Sequence, residues 1–151
     1  MKISINILTT ADLTKFTELI KVFSEVFEMQ QFVLPGEDHL IKTLANKDFI
    51  AVVALAENRV VGGMTVYRLN QYYSEKPLAY IYDLAVLQIY QRKGIGSALI
   101  EYIKEYCAAN GFEEVFVQAD RVDAYALEFY RSTGITEEED VVHYYYKLTN
   151  T

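Results

Sequence analysis

The sequence predicts one mixed α/β domain, and three observations carry that reading. Short apolar runs of strand type alternate with longer stretches whose apolar residues recur at helical spacing. Two of the runs, "DFIAVVALA" and "RVVGGMTVYRL", are joined by the brief turn "ENR", the pattern of a β-hairpin. No repeat, linker or low-complexity segment divides the 151 residues, a length that suits a single substantial core. The expected domain spans residues 1–151.

Taken in order, "ISINIL" alternates and predicts a first strand. A helix follows over "TTADLTKFTELIKVFSEVF", with Thr10 or Asp12 as its N-cap. Its residues Leu13, Phe16, Leu19, Ile20, Phe23 and Phe27 fall at helical spacing. After a loop from Glu28, Pro35-Gly36 opens a second helix from Glu37 to Asn46. The hairpin strands come next, and Gly62-Gly63 in the second of them indicates a bulge or a close backbone approach. A polar loop, "NQYYSEKP", leads into a fourth strand, "LAYIYDLAVL". The helix that starts near Gly94 ends at Asn110-Gly111, a left-handed stop. "EEVFVQAD" predicts a fifth strand, "DAYALEFYRST" a helix closed by Gly134, and "VVHYYYKL" a final strand. The order is β-α-α-β-β-β-α-β-α-β.

Composition narrows the function classes. A net charge of −7 argues against a nucleic-acid binder, whose footprint would be basic. Thirteen tyrosines suit a groove or interface with flat, amphipathic walls, although tyrosine also packs well in strands. The lone Cys107 cannot close an internal disulfide, and with only His39 and His143 beside it no zinc-like cluster is expected. "MKISINILTTADLTKF" lacks the apolar core of a secretory signal, and "FIAVVALA" is too short to span a bilayer. A reduced cytoplasmic setting without a membrane partner is the expectation. "TEEED" reads as a solvated turn before the last strand.

The stretch "YDLAVLQIYQRKGIGSALIEYIKEY" concentrates chemistry: a carboxylate inside a strand, then two glycines at the start of a helix. Free N–H groups and the dipole make a helix N-terminus an anion site, and Arg92 and Lys93 add positive charge. The plainer alternative is a strand-to-helix turn with two solvated cations. A P-loop is excluded, because Gly96 is followed by Ser97-Ala98 rather than Lys-Ser/Thr. A dinucleotide fingerprint is excluded too, because its third glycine would fall on Leu99. What fits is Gln/Arg-x-x-Gly-x-Gly/Ala after a strand, present as Gln91-Arg92-Lys93-Gly94-Ile95-Gly96.

That pattern resembles the pyrophosphate loop of the GNAT superfamily of acetyl-CoA-dependent N-acetyltransferases. "DAYALEFYRSTGI" is similar to the family's Asn-x-x-Ala-x-x-x-Tyr-x-x-x-Gly-Phe segment, with Asp123, Ala126, Tyr130 and Gly134 in the matching positions. Aspartate there replaces asparagine, and Ile135 replaces phenylalanine. The element order also matches along nearly the whole chain. "FIAVVALAENRVVGG", "YIYDLAV", "QRKGI", "FVQAD" and "EEDVVHYY" further resemble the class I aminoglycoside 3-N-acetyltransferases, whose Asp-Asp-Pro turn stands where this chain has Asp123-Ala124-Tyr125. The resemblance implies a single α/β (α+β) domain of GNAT type, with a mixed, mostly antiparallel sheet flanked by helices. It implies acetyl-CoA as co-substrate, no metal, and a homodimer as one open assembly. The cofactor site it implies comprises Leu84, Ala85, Val86, Gln91, Arg92, Lys93, Gly94, Ile95, Gly96, Ser97, Ala126 and Tyr130. It also implies a splay of the fourth strand from the fifth that leaves the N–H groups near Leu84 and Val86 free to polarise a thioester carbonyl.

Asp83 is the first candidate for handling the acceptor amine. Strict alternation puts Tyr80, Tyr82, Leu84 and Val86 on one face of the strand, and Ala79, Ile81, Asp83 and Ala85 on the other. A carboxylate on an apolar face either has a structural partner or meets one when a ligand arrives. Acetyl transfer needs a neutral amine, and a carboxylate can hold an ammonium and then take its proton. A reference pKa of about 3.9 makes aspartate a weak base unless burial raises it, so base and positioning roles both stand. Tyr130 is expected to protonate the departing thiolate; the alternative is a core aromatic, like its neighbour Phe129. Cys107, deep in a helix with only Lys104 nearby, reads as a structural thiol rather than a nucleophile. Asp120 and Asp123 follow a strand where ligands gather, and with Asp83 could line a cation-binding rim; His143 is a further substrate-site candidate. The expected reaction is direct acetyl transfer to an amine of a polycationic small molecule, an aminoglycoside first. A polyamine, a protein amine, or a non-catalytic acyl-CoA-binding module are the competing readings.

Overall fold

A computed structural model describes residues 2–149. The chain forms two compact units, Met1–Gln118 and Ala119–Thr151. The first holds a five-stranded sheet in the order β1-β2-β3-β4-β5.

Strand β1, Ile3–Ile7, alternates half-buried isoleucines with exposed Ser4 and Asn6, as a strand buried on one side must. Helix α1, Leu13–Val26, buries Phe16, Leu19, Val22 and Phe23 along one stripe. Asp12 does sit at its N-cap, but the carboxylate turns back to accept from the Thr9 N–H at 2.8 Å and makes no helix-capping bond. Helix α2, Glu37–Ala45, begins behind Gly36 with Glu37 and Asp38 in its first turn and Lys42 in its last, charges that suit its dipole.

Strands β2, Phe49–Ala56, and β3, Arg59–Leu69, form the expected hairpin. Its turn is two residues, Glu57 and Asn58, with φ of 50° and 65°. Two consecutive left-handed residues match the right-handed twist of the flanking strands. Val61 has no partner in the register, so a bulge lies just before the glycine pair. Close approach is realised as well. A Cβ on Gly63 would lie 2.6 Å from Leu19 Cδ1 and collide with Val52 O, and one on Gly62 would lie 2.8 Å from Ala85 O.

Strand β4, Leu78–Val86, is antiparallel to β3, whereas β5, Glu114–Val117, is parallel to β4. The sheet is therefore mixed and mostly antiparallel. Helix α3, Ile95–Ala109, connects β4 to β5 and ends as the sequence predicts, with Gly111 at φ 78° and the Phe112 N–H closing onto Cys107 O at 3.0 Å. One sheet face packs Phe49, Ala51, Val53 and Leu55 against Phe16, Leu19 and Phe23 of α1 and Leu40 of α2. Alternate residues such as Val52, Met64 and Ile81 serve the other face and are also fully buried.

In the second unit, α4, Ala124–Arg131, is the regular element among the described residues. The expected final strand over residues 141–148 has no ladder among the described residues, and Tyr144, Tyr145 and Tyr146 are exposed. Aromatic and β-branched composition supplies strand propensity, but a strand exists only where a neighbour pairs with it. The acidic turn is exposed, as expected, and its carboxylates form surface ion pairs. Glu138 accepts two bonds from Arg131, both at 2.8 Å, and Asp140 pairs with Arg121.

The glycine pair yields a stability test. Gly63→Ala should lower the unfolding free energy by about 1–3 kcal/mol, because backbone on β2 must give way. Gly36→Ala should change it far less, since nothing lies within 4 Å of its Cβ position. Chemical denaturation of both variants checks the contrast; equal midpoints would contradict it.

Candidate active site

The site begins where two strands part. The β4–β5 ladder runs from Leu78↔Glu114 to Ile81↔Val117 and stops there, while β4 continues to Val86. Residues 82–86 thus have β3 on one side and no β5 partner on the other. The Leu87 N–H bonds Val61 O on the β3 side at 2.8 Å. Amides alternate along a strand, so those of Leu84 and Val86 face the open side. Ala85 between them is buried opposite Gly63.

A second irregularity sits at the same place. Thr65 pairs with Asp83 and Val66 with Ile81, leaving Tyr82 as an extra residue in β4. This bulge corrects the strict alternation expected from sequence. Paired residues share a face, and Thr65 and Tyr67 are two apart on β3, so Asp83 shares its face with Tyr80, the partner of Tyr67. One inserted residue shifts the parity of all that follows it.

Asp83 is half-buried, and among the described residues no hydrogen bond or ion pair reaches its carboxylate. Burial pushes its carboxyl pKa up. Across the ladder, Thr65 is 8% exposed and its Oγ1 has no hydrogen-bond partner among the described residues. The Tyr67 hydroxyl is raised as well, first by burial and then by the negative potential of Tyr82 and Asp83. Thr65 and Tyr67 are site residues that the sequence did not reveal, since only the ladder register brings them to Asp83.

The glycine turn follows directly. Gln91 Nε2 donates to Val86 O at 2.9 Å, tying the turn to the end of β4. Arg92 and Gly94 take left-handed φ values of 60° and 83°, and the short 3-10 helix Gln88–Tyr90 precedes them. At Gly94 the left-handed backbone, not crowding, is what favours glycine, because no atom lies within 4 Å of its Cβ position. The first α3 bond runs from the Ala98 N–H to Gly94 O, and no side chain caps the helix. The amides of Ile95, Gly96 and Ser97 are therefore left at the positive end of the dipole, beside exposed Arg92 and Lys93. Such an end can hold a phosphate.

In the second unit, Asp123 caps α4 by accepting the Ala126 N–H at 3.0 Å. One of its carboxylate oxygens is thus engaged in structure. The carboxylate of Asp120 accepts the Val122 N–H at 3.5 Å, and its C=O accepts the Asp123 N–H at 2.9 Å. Half-buried Tyr130 lies on α4 with its ring edge-to-face against Phe129 at 4.9 Å. His143 is exposed and packs on the ring of Tyr145 at 5.3 Å. Back in α3, Cys107 is buried, and burial pushes its thiol up to about 11, where the thiolate is scarce at neutral pH. Among the described residues no three His, Cys, Asp or Glu side chains gather as a metal site, and no helix is long and apolar enough to cross a membrane.

Residues 16–135 match the Acetyltransferase (GNAT) family. The chain belongs to the GNAT acetyltransferase family. It is 56% identical to an aminoglycoside acetyltransferase, meta-AAC0020 from an uncultured soil metagenomic sample, over 97% of both chains with a TM-score of 0.96. That protein has been solved in complex with trehalose and with sisomicin. A second soil-metagenome aminoglycoside acetyltransferase, HMB0005, is 32% identical over 99% of this chain and all of its own, with a TM-score of 0.92. Among curated relatives, a probable N-acetyltransferase, san, from Drosophila melanogaster is 32% identical over 60% of this chain. The match spans 48% of that relative's length, so the chain covers about half of it.

The raised Asp83 carboxyl fixes a pH test. A group whose folded pKa lies above its unfolded value of about 3.9 stabilises the fold only while protonated, and that contribution is lost as pH rises through the folded value. Asp83→Asn should therefore melt higher than the parent at neutral pH, with the gap closing on acidification towards about pH 4. A variant that melts lower at neutral pH would mean that the fold holds the carboxylate with a partner.

Proposed function

We propose that this GNAT acetyltransferase moves acetyl from acetyl-CoA directly to an amine of a polycationic small molecule, an aminoglycoside, at the 3-amino position by its resemblance to that class. The observation that carries the reading is an aspartate on the sheet face, half-buried and without a partner among the described residues. The 56% identity to an aminoglycoside acetyltransferase over 97% of both chains supports it. On this reading the whole chain works as one acetyltransferase domain in the cytoplasm.

Each residue then has a task. The amides of Ile95, Gly96 and Ser97, with Gln91, Arg92 and Lys93 around Gly94, hold the pyrophosphate of the cofactor. The open edge of β4 receives the pantetheine arm, and the Leu84 and Val86 amides flanking Ala85 polarise the thioester carbonyl. The Asp83 carboxylate binds the acceptor ammonium and takes a proton from it, a task that its raised pKa favours. The freed amine attacks the carbonyl carbon, the C–S bond breaks, and Tyr130, in the role the family resemblance implies, gives its proton to the leaving thiolate and regains one from the acetylated nitrogen. Asp120, Asp123 and His143 add polar groups for the remaining ammonium and hydroxyl groups of the acceptor.

The deciding experiment measures release of free CoA thiol with sisomicin, spermidine and a peptide N-terminus as acceptors. Sisomicin should be acetylated fastest; a win for the peptide amine would overturn the small-molecule reading. Gly94→Glu should abolish the thermal shift that CoA produces in the parent, because it places a negative charge at the helix end. An undiminished shift would remove the turn from the cofactor site. Tyr130→Phe should lower kcat roughly 10²- to 10⁴-fold, whereas Cys107→Ala should leave it nearly unchanged. An acetylated Cys107 on the reaction path would replace direct transfer by a two-step route.

A further inference from the structure

Six aromatic rings form a continuous rail from α1 across the sheet to β5. Phe16 touches Phe49 at 5.8 Å, Phe49 touches Tyr67 at 5.3 Å, and Tyr67 meets Tyr82 edge-to-face at 5.6 Å and 88°. Tyr82 then meets Tyr80 at 5.9 Å and 87°, and Tyr80 stacks on Phe116 at 4.7 Å. The outer rings are anchored: Phe16 and Phe49 are in the core, and the Tyr80 hydroxyl donates to Gln118 Oε1 at 2.8 Å. The middle is not covered. Tyr67 is 39% exposed and Tyr82 is 59% exposed.

Tyr67 and Tyr82 thus present an edge-to-face pair at the sheet surface, held from both ends by the rail. Its position says what kind of ligand suits it. Tyr82 precedes Asp83 in the chain, and Tyr67 lies two residues along β3 from Thr65, the partner of Asp83. Tyr67 is thus two strand residues, about 7 Å, from the level of the carboxylate, while Tyr82 stands directly beside it. The face of a tyrosine ring is negative, and so is the neighbouring carboxylate. No cationic side chain of this chain forms an ion pair with Asp83 among the described residues. The carboxylate and the ring faces both attract positive charge.

We propose that Tyr67 and Tyr82 form an aromatic corner beside Asp83 that binds a second ammonium of the acceptor and so selects polyamines over monoamines. This rests on the acetyltransferase reading above and adds the specificity determinant. The bulge that frees Tyr82 from the ladder also turns its ring into the corner. The rail limits the rotamers open to both rings, so little freedom is lost when the ligand docks.

The test uses sisomicin as acceptor and the full chain. Tyr82→Leu and Tyr67→Leu should each raise KM roughly 2- to 30-fold with kcat largely kept, while Tyr82→Phe and Tyr67→Phe stay near the parent. Because leucine could disturb the rail, mono-, di- and trifluorophenylalanine at position 82 supply a second series that keeps the ring's shape and drains its face. KM should climb stepwise with fluorine number. A flat fluorine series, or phenylalanine variants as impaired as leucine ones, would overturn the corner. If the parent acetylates neither sisomicin nor spermidine yet still shows the CoA shift, the acceptor reading above fails, and the corner fails with it. If the parent is active and only the fluorine series is flat, the corner alone is lost.

Discussion

Tyr82 is the one residue of β4 between Ile81 and Asp83 that has no partner on β3, and the site is arranged around that single insertion. Without it, Asp83 would fall out of register with Thr65 and point away from the aromatic face. With it, the carboxylate, the Thr65 hydroxyl and the exposed rings of Tyr67 and Tyr82 share one side of the sheet. At the same level the β4–β5 ladder ends, so the next amides of β4 have no β5 partner among the described residues. A bulge bends its strand and strengthens local twist. The two irregularities together create a polar seam in an otherwise apolar sheet.

Close packing behind the seam makes it rigid. Gly62 and Gly63 let β3 lie against β2, β4 and Leu19 of α1 at distances no side chain would permit. Leu19, Met64 and Ile81 are buried on the two faces, so β4 is clamped from both sides just before the bulge. Gln91 then ties the end of β4 to the glycine turn through the carbonyl of Val86. The open strand edge and the positive end of α3 are in this way held by one short covalent and hydrogen-bonded path. A carboxylate left half-buried without a partner costs stability, and the surrounding core is what tolerates it.

Electrostatically, opposite potentials lie close together toward the C-terminal end of β4. The helix end carries free amides with Arg92 and Lys93, and the sheet face carries Asp83 with the tyrosine rings. On the proposed reading, an anionic cofactor and a cationic acceptor are drawn to different places along the same strand. The overall charge of −7 adds a long-range bias toward cationic acceptors, while the cofactor's phosphates depend on the local field of the helix end.

The sequence alone determined whatever depends on local chemistry. Periodicity located the nine elements from β1 to α4, Glu57-Asn58-Arg59 marked the hairpin, Asn110-Gly111 the end of α3, and Gln91-Arg92-Lys93-Gly94-Ile95-Gly96 the candidate anion-binding turn. These signals survive because φ preference, helix dipole and side-chain period act over a few residues at most. Residues 141–148 carry strand propensity just as strong, yet form no strand among the described residues, because pairing needs a partner that propensity does not supply. Asp123 was legible as a family position but not as the cap that its carboxylate makes with the Ala126 N–H. The face of Asp83, its nearness to Thr65 and Tyr67, and the open edge at Leu84 and Val86 belong to tertiary structure alone. Register is a relation between strands far apart in sequence, and a single unpaired residue reverses it without leaving any mark in the local pattern.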